Sequence, residues 1–208
     1  MLRDFTLNDF VAEVASSAPA PGGGSVAALA GAEGFALLAM VARLTIGRKK
    51  YAAVEGEMGG LLDFASERQV RLLQLVDKDT AGFKGVMAAL SLPKDTDEER
   101  ALRRAELEKA TLQAAQVPLE TAGLCLEGLR RLPGLLRDGN QNALSDMGVA
   151  AQSLRTGLEG ALYNVQINAL GLEASEEKEK LLHECQLLRV EGRKVSVVVE
   201  EEILSRLR

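Results

Sequence analysis

Apolar residues recur at alternating steps of three and four along most of this chain, the spacing at which side chains share one face of an α-helix. The clearest stretch runs from residue 61 to residue 90, where the steps alternate without a break. Segments that alternate residue by residue, as half-buried strands do, do not stand out. The pattern predicts six helices, at about 6–17, 25–46, 61–90, 95–131, 145–170 and 175–208.

Mostly long helices with short connections predict an all-α bundle of about six antiparallel helices. We expect Pro133 to Gly139 to form a connector that follows the fourth helix. A chain of 208 residues can bury a sizeable core, and we assign residues 1–208 to a single helical domain. The heptad-like seam of the last helix and the apolar content of the others favour a homodimer.

The strongest backbone break in the first fifty residues is Pro-Ala-Pro-Gly-Gly-Gly-Ser at 19–25. Gly22, Gly23 and Gly24 can adopt dihedrals closed to other residues and let a ligand approach the backbone. Ser25 stands where a helix N-cap is expected. A glycine-lined helix N-terminus suits an anion or a polar ring, but a tight interhelical turn needs the same residues. The segment fits neither a Walker loop nor a GxGxxG dinucleotide fingerprint.

The helix after this loop carries an apolar stripe at Val26, Ala30, Leu37, Met40 and Leu44, with Glu33 inside it. An unpaired buried carboxylate is costly, so we expect Glu33 at the edge of a groove. Gly47 ends the helix, followed by Arg48, Lys49 and Lys50. These three cations are either capping charges at a helix C-terminus or a local patch for a polyanionic ligand.

Asp79 interrupts the clean apolar face of the third helix, between Val76 and Phe83. A carboxyl group in that position must be paired, protonated or directed into a cavity. If its pKa is raised, it suits general acid–base chemistry; the alternative is a structural ion pair with a basic residue of a neighbouring helix. Asp77 points elsewhere on the same helix, and we expect it to be exposed.

Two further groups of polar residues stand out towards the C-terminus. Asn140 to Asp146 forms a polar loop whose residues favour turns and caps. Asn164 and Asn168 lie four residues apart on a helix face that otherwise carries small residues. The two amides either satisfy each other or line a pocket with donors and acceptors.

Composition narrows the function classes. The net charge of −5 and only seven aromatic residues argue against a nucleic-acid-binding protein. His183 is the only histidine, and Cys125 and Cys185 have no metal-site spacing, so we expect neither a metal site nor Ser-His or Cys-His catalysis. We identify no signal peptide and no apolar run of about 18 residues, and expect a cytoplasmic protein without a membrane partner.

Together these motifs resemble the cyclodeaminase/cyclohydrolase family of folate enzymes. That family includes the cyclodeaminase domain of formiminotransferase-cyclodeaminase and stand-alone bacterial methenyltetrahydrofolate cyclohydrolases. Glu33 stands where the family is apolar, and Gly82 where a larger residue is usual. The matching segments keep their order over most of the chain: Pro21–Gly31, Met40–Ala42, Leu44–Tyr51, Asp77–Ala81, Leu92–Lys94, Gly139–Asn140, Ser145–Ala150 and Asn164–Asn168.

The resemblance implies an all-helical dimer that acts on a one-carbon derivative of tetrahydrofolate. A cyclodeaminase closes 5-formiminotetrahydrofolate to 5,10-methenyltetrahydrofolate and releases ammonia. A cyclohydrolase opens the methenyl ring with water to give 10-formyltetrahydrofolate. Both reactions pass through a tetrahedral one-carbon centre and need proton transfer, and the resemblance implies no metal or redox cofactor.

On this basis we assign hypothetical roles to the singled-out residues. Asp79 is the general acid and base. Asn164, Asn168 and the backbone of Gly22–Ser25 hold the pterin and the reacting amidine. Arg48–Lys50 receive the glutamate or polyglutamate tail, because their charge complements it. The alternative is a non-catalytic helical dimer that binds folate or an acidic partner through the same loop.

Overall fold

Six α-helices make up most of the protein in the computed structural model, which describes all residues from 1 to 208. Three short 3₁₀ segments lie between or before them, at Leu2–Asp4, Lys49–Val54 and Gln141–Ala143, and the chain contains no β-strand. The predicted all-α class is confirmed. The helices are α1 (Leu7–Val14), α2 (Gly23–Thr45), α3 (Glu55–Leu90), α4 (Asp97–Asp138), α5 (Leu144–Leu170) and α6 (Glu176–Arg206).

Most neighbouring helices run antiparallel, as predicted, whereas α2 runs parallel to α4, and α4 to α6. The start of α2 contacts the later part of α3 through Ser25 and Asp79, whereas Phe35 meets Phe64 further back, with ring centroids 5.9 Å apart. Contacts between α2 and α5, α3 and α4, α4 and α5, and α5 and α6 show the same antiparallel arrangement, because residue numbers rise along one helix as they fall along the other. Helix α2 packs against α3, α4 and α5 and is therefore the central helix of the bundle.

One hydrophobic core takes buried side chains from all six helices. Small residues allow its helices to approach closely: a Cβ on Gly157 of α5 would lie 2.9 Å from the Ala27 carbonyl oxygen of α2. A Cβ on Gly31 would lie 2.7 Å from Cys125 Sγ of α4. Burying one leucine side chain in such a core contributes about 2 kcal/mol, so the packing of many such residues determines the architecture.

Helix α2 corrects our expectation about apolar runs. By length and composition Gly23–Thr45 is apolar enough to cross a membrane, with a mean hydropathy of 1.8 in its most apolar window. Most of that window, 61%, is buried inside the bundle. Core helices meet the same criteria, and the apolar content of α2 is explained by its contacts with three other helices.

Several predicted boundaries are wrong: α1 ends at Val14 rather than near residue 17, α3 begins at Glu55 rather than near residue 61, and the start of α2 and the end of α4 also differ. Ser25 is not the N-cap of α2; Gly22 takes that position, with φ −129° and ψ −154°, and the Ser25 side chain is engaged with α3 instead. Pro133 does not end α4, which continues to Asp138. The missing N–H of a proline weakens a helix, but Leu132 and Leu136 are fully buried here, and their packing outweighs that loss.

Helices α3 and α4 are longer than α2 and extend past its N-terminus. At 1.5 Å per residue, the 36 residues of α3 span about 54 Å and the 23 residues of α2 about 35 Å. From residue 77 to residue 110, Ala89 is the only buried residue. This part of the molecule is a two-helix projection, and Asp79 lies at its base, where it meets the first turn of α2.

Candidate active site

The glycine loop and Asp79 meet, although 54 positions separate Ser25 from Asp79 in the sequence. Ser25 is completely buried, and its Oγ lies 2.9 Å from Asp79 Oδ2, 3.1 Å from the Val76 carbonyl oxygen and 3.3 Å from Thr80 Oγ1. All three partners belong to α3. The hydroxyl of Ser25 therefore joins the N-terminus of α2 to the carboxyl group.

Gly24 allows this approach. A Cβ built on Gly24 would lie 2.0 Å from Asp79 Oδ1 and 2.5 Å from its carboxyl carbon. The Asp79 carboxyl group thus occupies the space that a side chain at position 24 would need, so only glycine fits there. Gly22, by contrast, has nothing within 4 Å of the corresponding position. The loop has one glycine that the carboxyl group requires and one that faces open space.

Burial raises the pKa of the Asp79 carboxyl above its ordinary value, because desolvation disfavours the charged form. Hydrogen bonds from the hydroxyl and the backbone N–H of Ser25 oppose this rise without cancelling it. No basic side chain contributes, so the structural ion pair that the sequence left open is not present. A largely buried carboxyl with a raised pKa and no counter-charge can both donate and accept a proton.

Asp77 has a different environment, and the expectation that it is exposed is wrong. Its Oδ1 accepts the backbone N–H of Leu2 at 2.7 Å. Its Oδ2 lies 3.4 Å from Arg3 Nε, which makes an ion pair without hydrogen-bond geometry. Asp77 therefore anchors the N-terminal segment to α3, and its charge is compensated.

Asn164 of α5 faces the glycine loop, since its Nδ2 lies 3.3 Å from the position of a Cβ on Gly23. Nδ2 donates to the Gly160 carbonyl oxygen at 2.9 Å, and Oδ1 accepts no hydrogen bond from the protein. Asn168 is half-buried one turn further along α5, and its side chain makes no hydrogen bond within the chain. The two amides do not satisfy each other. Asn164 reaches the loop, and Asn168 extends the same face.

The three cations lie at the opposite end of α2, about 35 Å from the glycine loop by the length of the helix. Arg48 Nε donates to the Leu44 carbonyl oxygen at 3.0 Å, which is a capping contact. Lys50 Nζ lies 5.2 Å from the centre of the Tyr51 ring, and Lys49 is exposed. Within one chain, Arg48–Lys50 and Asp79 do not form a common site.

The polar loop at 140–146 is structural at its start. Asn140 donates its backbone N–H to Thr45 Oγ1 at 2.9 Å and its Nδ2 to the Leu44 carbonyl oxygen at 3.0 Å. Its Oδ1 accepts the N–H of Asn142 at 3.1 Å. Each hydrogen-bonding atom of the side chain has a backbone partner, so Asn140 fixes the end of α2 against α5.

A cavity of about 490 Å³ lies elsewhere, between α2, α5 and α6. Glu33 is exposed at its rim, which confirms the expected position at a groove edge. Asp79 lines none of the principal cavities of the single chain. The carboxyl group, the glycines and Asn164 converge on a shallow surface, and we single them out for their chemistry rather than for cavity size.

Other reactive residue types lie away from Asp79. Cys125 is buried, and desolvation raises the pKa of its thiol to about 12, so it is not a thiolate. Burial also raises the pKa of Cys185, and His183 is exposed on α6. No group of three or more His, Cys, Asp or Glu side chains is arranged to hold a metal ion.

Sequence reasoning missed Thr80 and the Val76 carbonyl oxygen, which share the Ser25 hydroxyl. No pattern in the sequence marks a backbone carbonyl group. Thr80 follows Asp79 directly, and a hydroxyl beside a candidate acid was the available signal.

Comparisons with known proteins agree on one family. The family model described as formiminotransferase-cyclodeaminase matches residues 6–187. The chain is 39% identical to a methenyltetrahydrofolate cyclohydrolase of Methylorubrum extorquens over 207 residues, covering all of both chains. It is 38% identical to the formimidoyltransferase-cyclodeaminase of Rattus norvegicus over 95% of its own length, but spans only 37% of that protein. A crystal structure of formiminotetrahydrofolate cyclodeaminase from Thermotoga maritima superposes with a TM-score of 0.90 at 27% identity, covering all of both chains.

Proposed function

The chain belongs to the formiminotransferase-cyclodeaminase family, and we propose that it is a folate enzyme that acts at the 5-formimino/5,10-methenyl step of tetrahydrofolate chemistry. The observation that carries the proposal is the match over the full length of both chains to a named methenyltetrahydrofolate cyclohydrolase. This favours hydrolysis of the methenyl ring as the first candidate reaction. The non-catalytic folate binder is not favoured, because the matched proteins are named as enzymes.

Cyclodeamination is the second candidate reaction, favoured by the Thermotoga maritima cyclodeaminase that matches in fold over its whole length. The two reactions share their chemistry. Each forms a tetrahedral carbon between the two folate nitrogens, bearing a hydroxyl group in one case and an amino group in the other. Neither changes the oxidation state of the one-carbon unit, so the proposal needs proton transfer rather than a redox cofactor.

Asp79 performs this proton transfer in our proposal. For hydrolysis, its carboxylate takes a proton from the attacking water; for deamination, its acid form gives a proton to the departing ammonia. A group with a raised pKa populates both forms nearer neutral pH than an ordinary aspartate does. The support is its burial without a counter-charge, beside a loop that a ligand can approach.

The glycine loop and α5 bind the pterin in this proposal. The first N–H groups of a helix have no partner within the helix. Gly23 stands exposed at the start of α2, and Gly24 is buried beside the Asp79 carboxyl group. Asn164 offers a free amide oxygen beside them, and Asn168 continues that face. Ser25 is completely buried, so it contributes through its backbone and through Asp79.

A second copy of the chain brings the cations to this site in our proposal. The accessible stripe of α2 consists of residues 26, 30, 33, 37, 40 and 44. These positions are symmetric about position 35, because 26 and 44, 30 and 40, and 33 and 37 lie at equal distances from it. Two antiparallel α2 helices packed along this stripe place Arg48 of the partner subunit beside Gly22. A homodimer thus adds a wall to the shallow site and positions Lys49 and Lys50 of the partner subunit for a folate tail, including polyglutamate.

We also propose a cytoplasmic enzyme. Both cysteines are free and buried, which accords with a reducing compartment.

A substrate assay tests the proposed reaction. Purified protein is given 5,10-methenyltetrahydrofolate in one reaction and 5-formiminotetrahydrofolate in another, and the methenyl absorbance is followed. Cyclohydrolase activity lowers the absorbance in the first, and cyclodeaminase activity raises it in the second. Thermal protection by either folate without any absorbance change would contradict the proposal and support the binder.

A mixing experiment tests the shared site. Asp79→Asn and a triple Arg48→Gln, Lys49→Gln, Lys50→Gln variant are assayed alone with polyglutamylated substrate, and again after dissociation and reassociation. Each mixed dimer regains one intact site, so activity recovers to about one quarter of the wild-type value in random mixtures. Mixed dimers that form, by native mass spectrometry, without recovery would contradict a site shared between subunits.

A further inference from the structure

The Ser25 hydroxyl group has more acceptors within reach than it has hydrogens. Asp79 Oδ2 at 2.9 Å, the Val76 carbonyl oxygen at 3.1 Å and Thr80 Oγ1 at 3.3 Å all surround the same oxygen atom. A serine hydroxyl has one hydrogen to donate and two lone pairs to accept with. A carbonyl oxygen and an ionised carboxylate only accept, so Ser25 can donate to one of them at a time.

We propose that Ser25 is a positioning residue for the acid–base step, a switchable donor that follows the charge of Asp79. This rests on the proposed function, in which Asp79 exchanges a proton with the ligand. When Asp79 has given up its proton, Ser25 donates to Oδ2 and stabilises the carboxylate. When Asp79 holds a proton, Oδ2 is a weaker acceptor, and the hydroxyl hydrogen turns to the Val76 carbonyl oxygen.

The switch needs only the rotation of one O–H bond. No heavy atom moves, because both acceptors already lie within hydrogen-bond distance of Ser25 Oγ. The Val76 carbonyl group belongs to the interior of α3, so it keeps a helix partner in either state. The carboxyl group can thus change its charge inside a packed contact between α2 and α3 without reorganisation, which is what preorganised catalysis requires.

Thr80 can act as a hydrogen-bond donor to Ser25. Its hydroxyl can donate to Ser25 Oγ, which leaves the single Ser25 hydrogen free for Asp79 or Val76. Asp79 Oδ1 accepts no side-chain hydrogen bond in the protein, and our proposal assigns this oxygen to the exchange with the ligand. Ser25 holds one carboxyl oxygen so that the other keeps a fixed direction.

No other side chain shares this task. The causes that shift the pKa of Asp79 are burial, which raises it, and the hydroxyl and backbone N–H of Ser25, which lower it. The first turn of α2 has no acidic residue, and α5 presents the neutral Asn164. On α3 itself, Asp77 is paired with Arg3, and Lys78 is exposed. If the Ser25 hydroxyl is removed, the backbone N–H of Ser25 is therefore the only remaining group that opposes the rise in the pKa of Asp79 caused by burial.

The test compares Ser25→Ala with wild type through the pH profiles of kcat and kcat/KM. In Ser25→Ala, the limb of the pH profile that reports the ionisation of Asp79 moves to higher pH, because the carboxylate loses a hydrogen-bond donor. The maximal kcat falls about tenfold. KM changes less than threefold, because the hydroxyl is buried away from the ligand surface. Ser66→Ala is the matched control: its hydroxyl lies on α3 and donates only to the Leu62 carbonyl oxygen, and its profile stays like wild type.

Two further variants separate the outcomes. Ser25→Cys keeps a weak donor of similar size and moves the limb in the same direction by less; it also serves if Ser25→Ala does not fold. Asp79→Asn abolishes the limb. An unmoved limb in folded Ser25 variants, with the limb lost in Asp79→Asn, overturns the switch and leaves the proposed function intact. A limb that persists in active Asp79→Asn instead contradicts the acid–base role itself.

Discussion

The two ends of α2 are alike in sequence and different in chemistry. Each end has a buried hydroxyl beside a polar loop: Ser25 near the glycines, and Thr45 against Asn140. The Thr45 hydroxyl donates to the Val41 carbonyl oxygen at 2.7 Å and accepts the Asn140 N–H at 2.9 Å. Its partners are backbone groups whose charge never changes, whereas the Ser25 hydroxyl is shared with a carboxyl group.

The difference separates a structural junction from a reactive one. At the Thr45 end, the Asn140 side chain is satisfied by the backbone, and Tyr51 accepts the Gln141 N–H at 3.1 Å. At the Ser25 end, Asp79 has no counter-charge, and Asn164 keeps an unpaired amide oxygen. Glycine and asparagine residues lie at both ends of α2: Gly24 and Asn164 at one, Gly139 and Asn140 at the other. A largely buried titratable group without a counter-charge is present at only one of them.

The largest expected effect comes from making the reactive end neutral. Asp79→Asn removes the proton-transferring group and keeps the shape of the side chain. General acid–base catalysis contributes about 10²- to 10⁴-fold, so we expect kcat to fall within that range. Steady-state kinetics with both folate substrates measures the loss.

Thermal unfolding provides the control for Asp79→Asn. The amide avoids the cost of burying a charge, so the variant should melt at or above the wild-type temperature at neutral pH. Near-wild-type turnover in the folded variant would show that the two ends of α2 do not differ in the proposed way.

A smaller effect on activity, with a loss of stability, is expected for Gly24→Ala. The new methyl group would lie 2.0 Å from Asp79 Oδ1, so α2 or the carboxyl group must shift. Overpacking of this kind costs about 1–3 kcal/mol, and the displaced carboxyl should lower kcat at least tenfold. Chemical denaturation and kinetics together measure both losses.

Gly22→Ala is the matched control in the same loop, because nothing lies within 4 Å of its new methyl group. Its φ of −129° is open to alanine. If both substitutions reduce kcat equally, loop flexibility rather than the close contact with Asp79 is what matters.

At the structural end we expect stability to change without chemistry. Asn140→Ala removes two side-chain hydrogen bonds and leaves the Leu44 carbonyl oxygen without that donor, which costs about 1–3 kcal/mol. The kcat of the folded enzyme should stay within about twofold of wild type. Asn142→Ala is the control, since that side chain is exposed and changes stability by less than about 0.5 kcal/mol. A tenfold fall in kcat for Asn140→Ala would remove the distinction between the two ends.

The sequence predicts the helices well because their apolar period is long and regular. All six exist, and the seam of α6 is buried at Leu181, Cys185, Gly192, Val199 and Ile203 as expected. The errors occur where tertiary packing overrides a local signal. Pro133 carries a helix-ending signal, yet the buried leucines around it keep α4 intact.

The candidate site is only partly predictable for a related reason. Asp79 stands out because a carboxylate breaks an apolar face, and that is visible in a single segment. Its contact with Gly24 and Ser25 depends on how α2 and α3 pack, which no local pattern encodes. The cations of 48–50 share a sequence neighbourhood with the loop, yet the length of α2 holds them at the other end.

The smallest expected effect is a change in how stability depends on pH. The pKa of Asp79 is raised in the folded protein above its ordinary value of 3.8, so the folded state binds its proton more tightly than the unfolded state. For such an acid, the destabilising contribution is absent below pH 3.8 and develops as pH rises through the folded pKa. The free energy of unfolding of Asp79→Asn, measured by denaturant titration at several pH values, should therefore gain on wild type as pH rises. Asn140→Ala changes no titratable group, so its free energy of unfolding should differ from that of wild type by a constant amount over the same pH range. A constant difference between Asp79→Asn and wild type would mean that the carboxyl group ionises as it does in the unfolded chain, and the two ends of α2 would then be electrostatically alike.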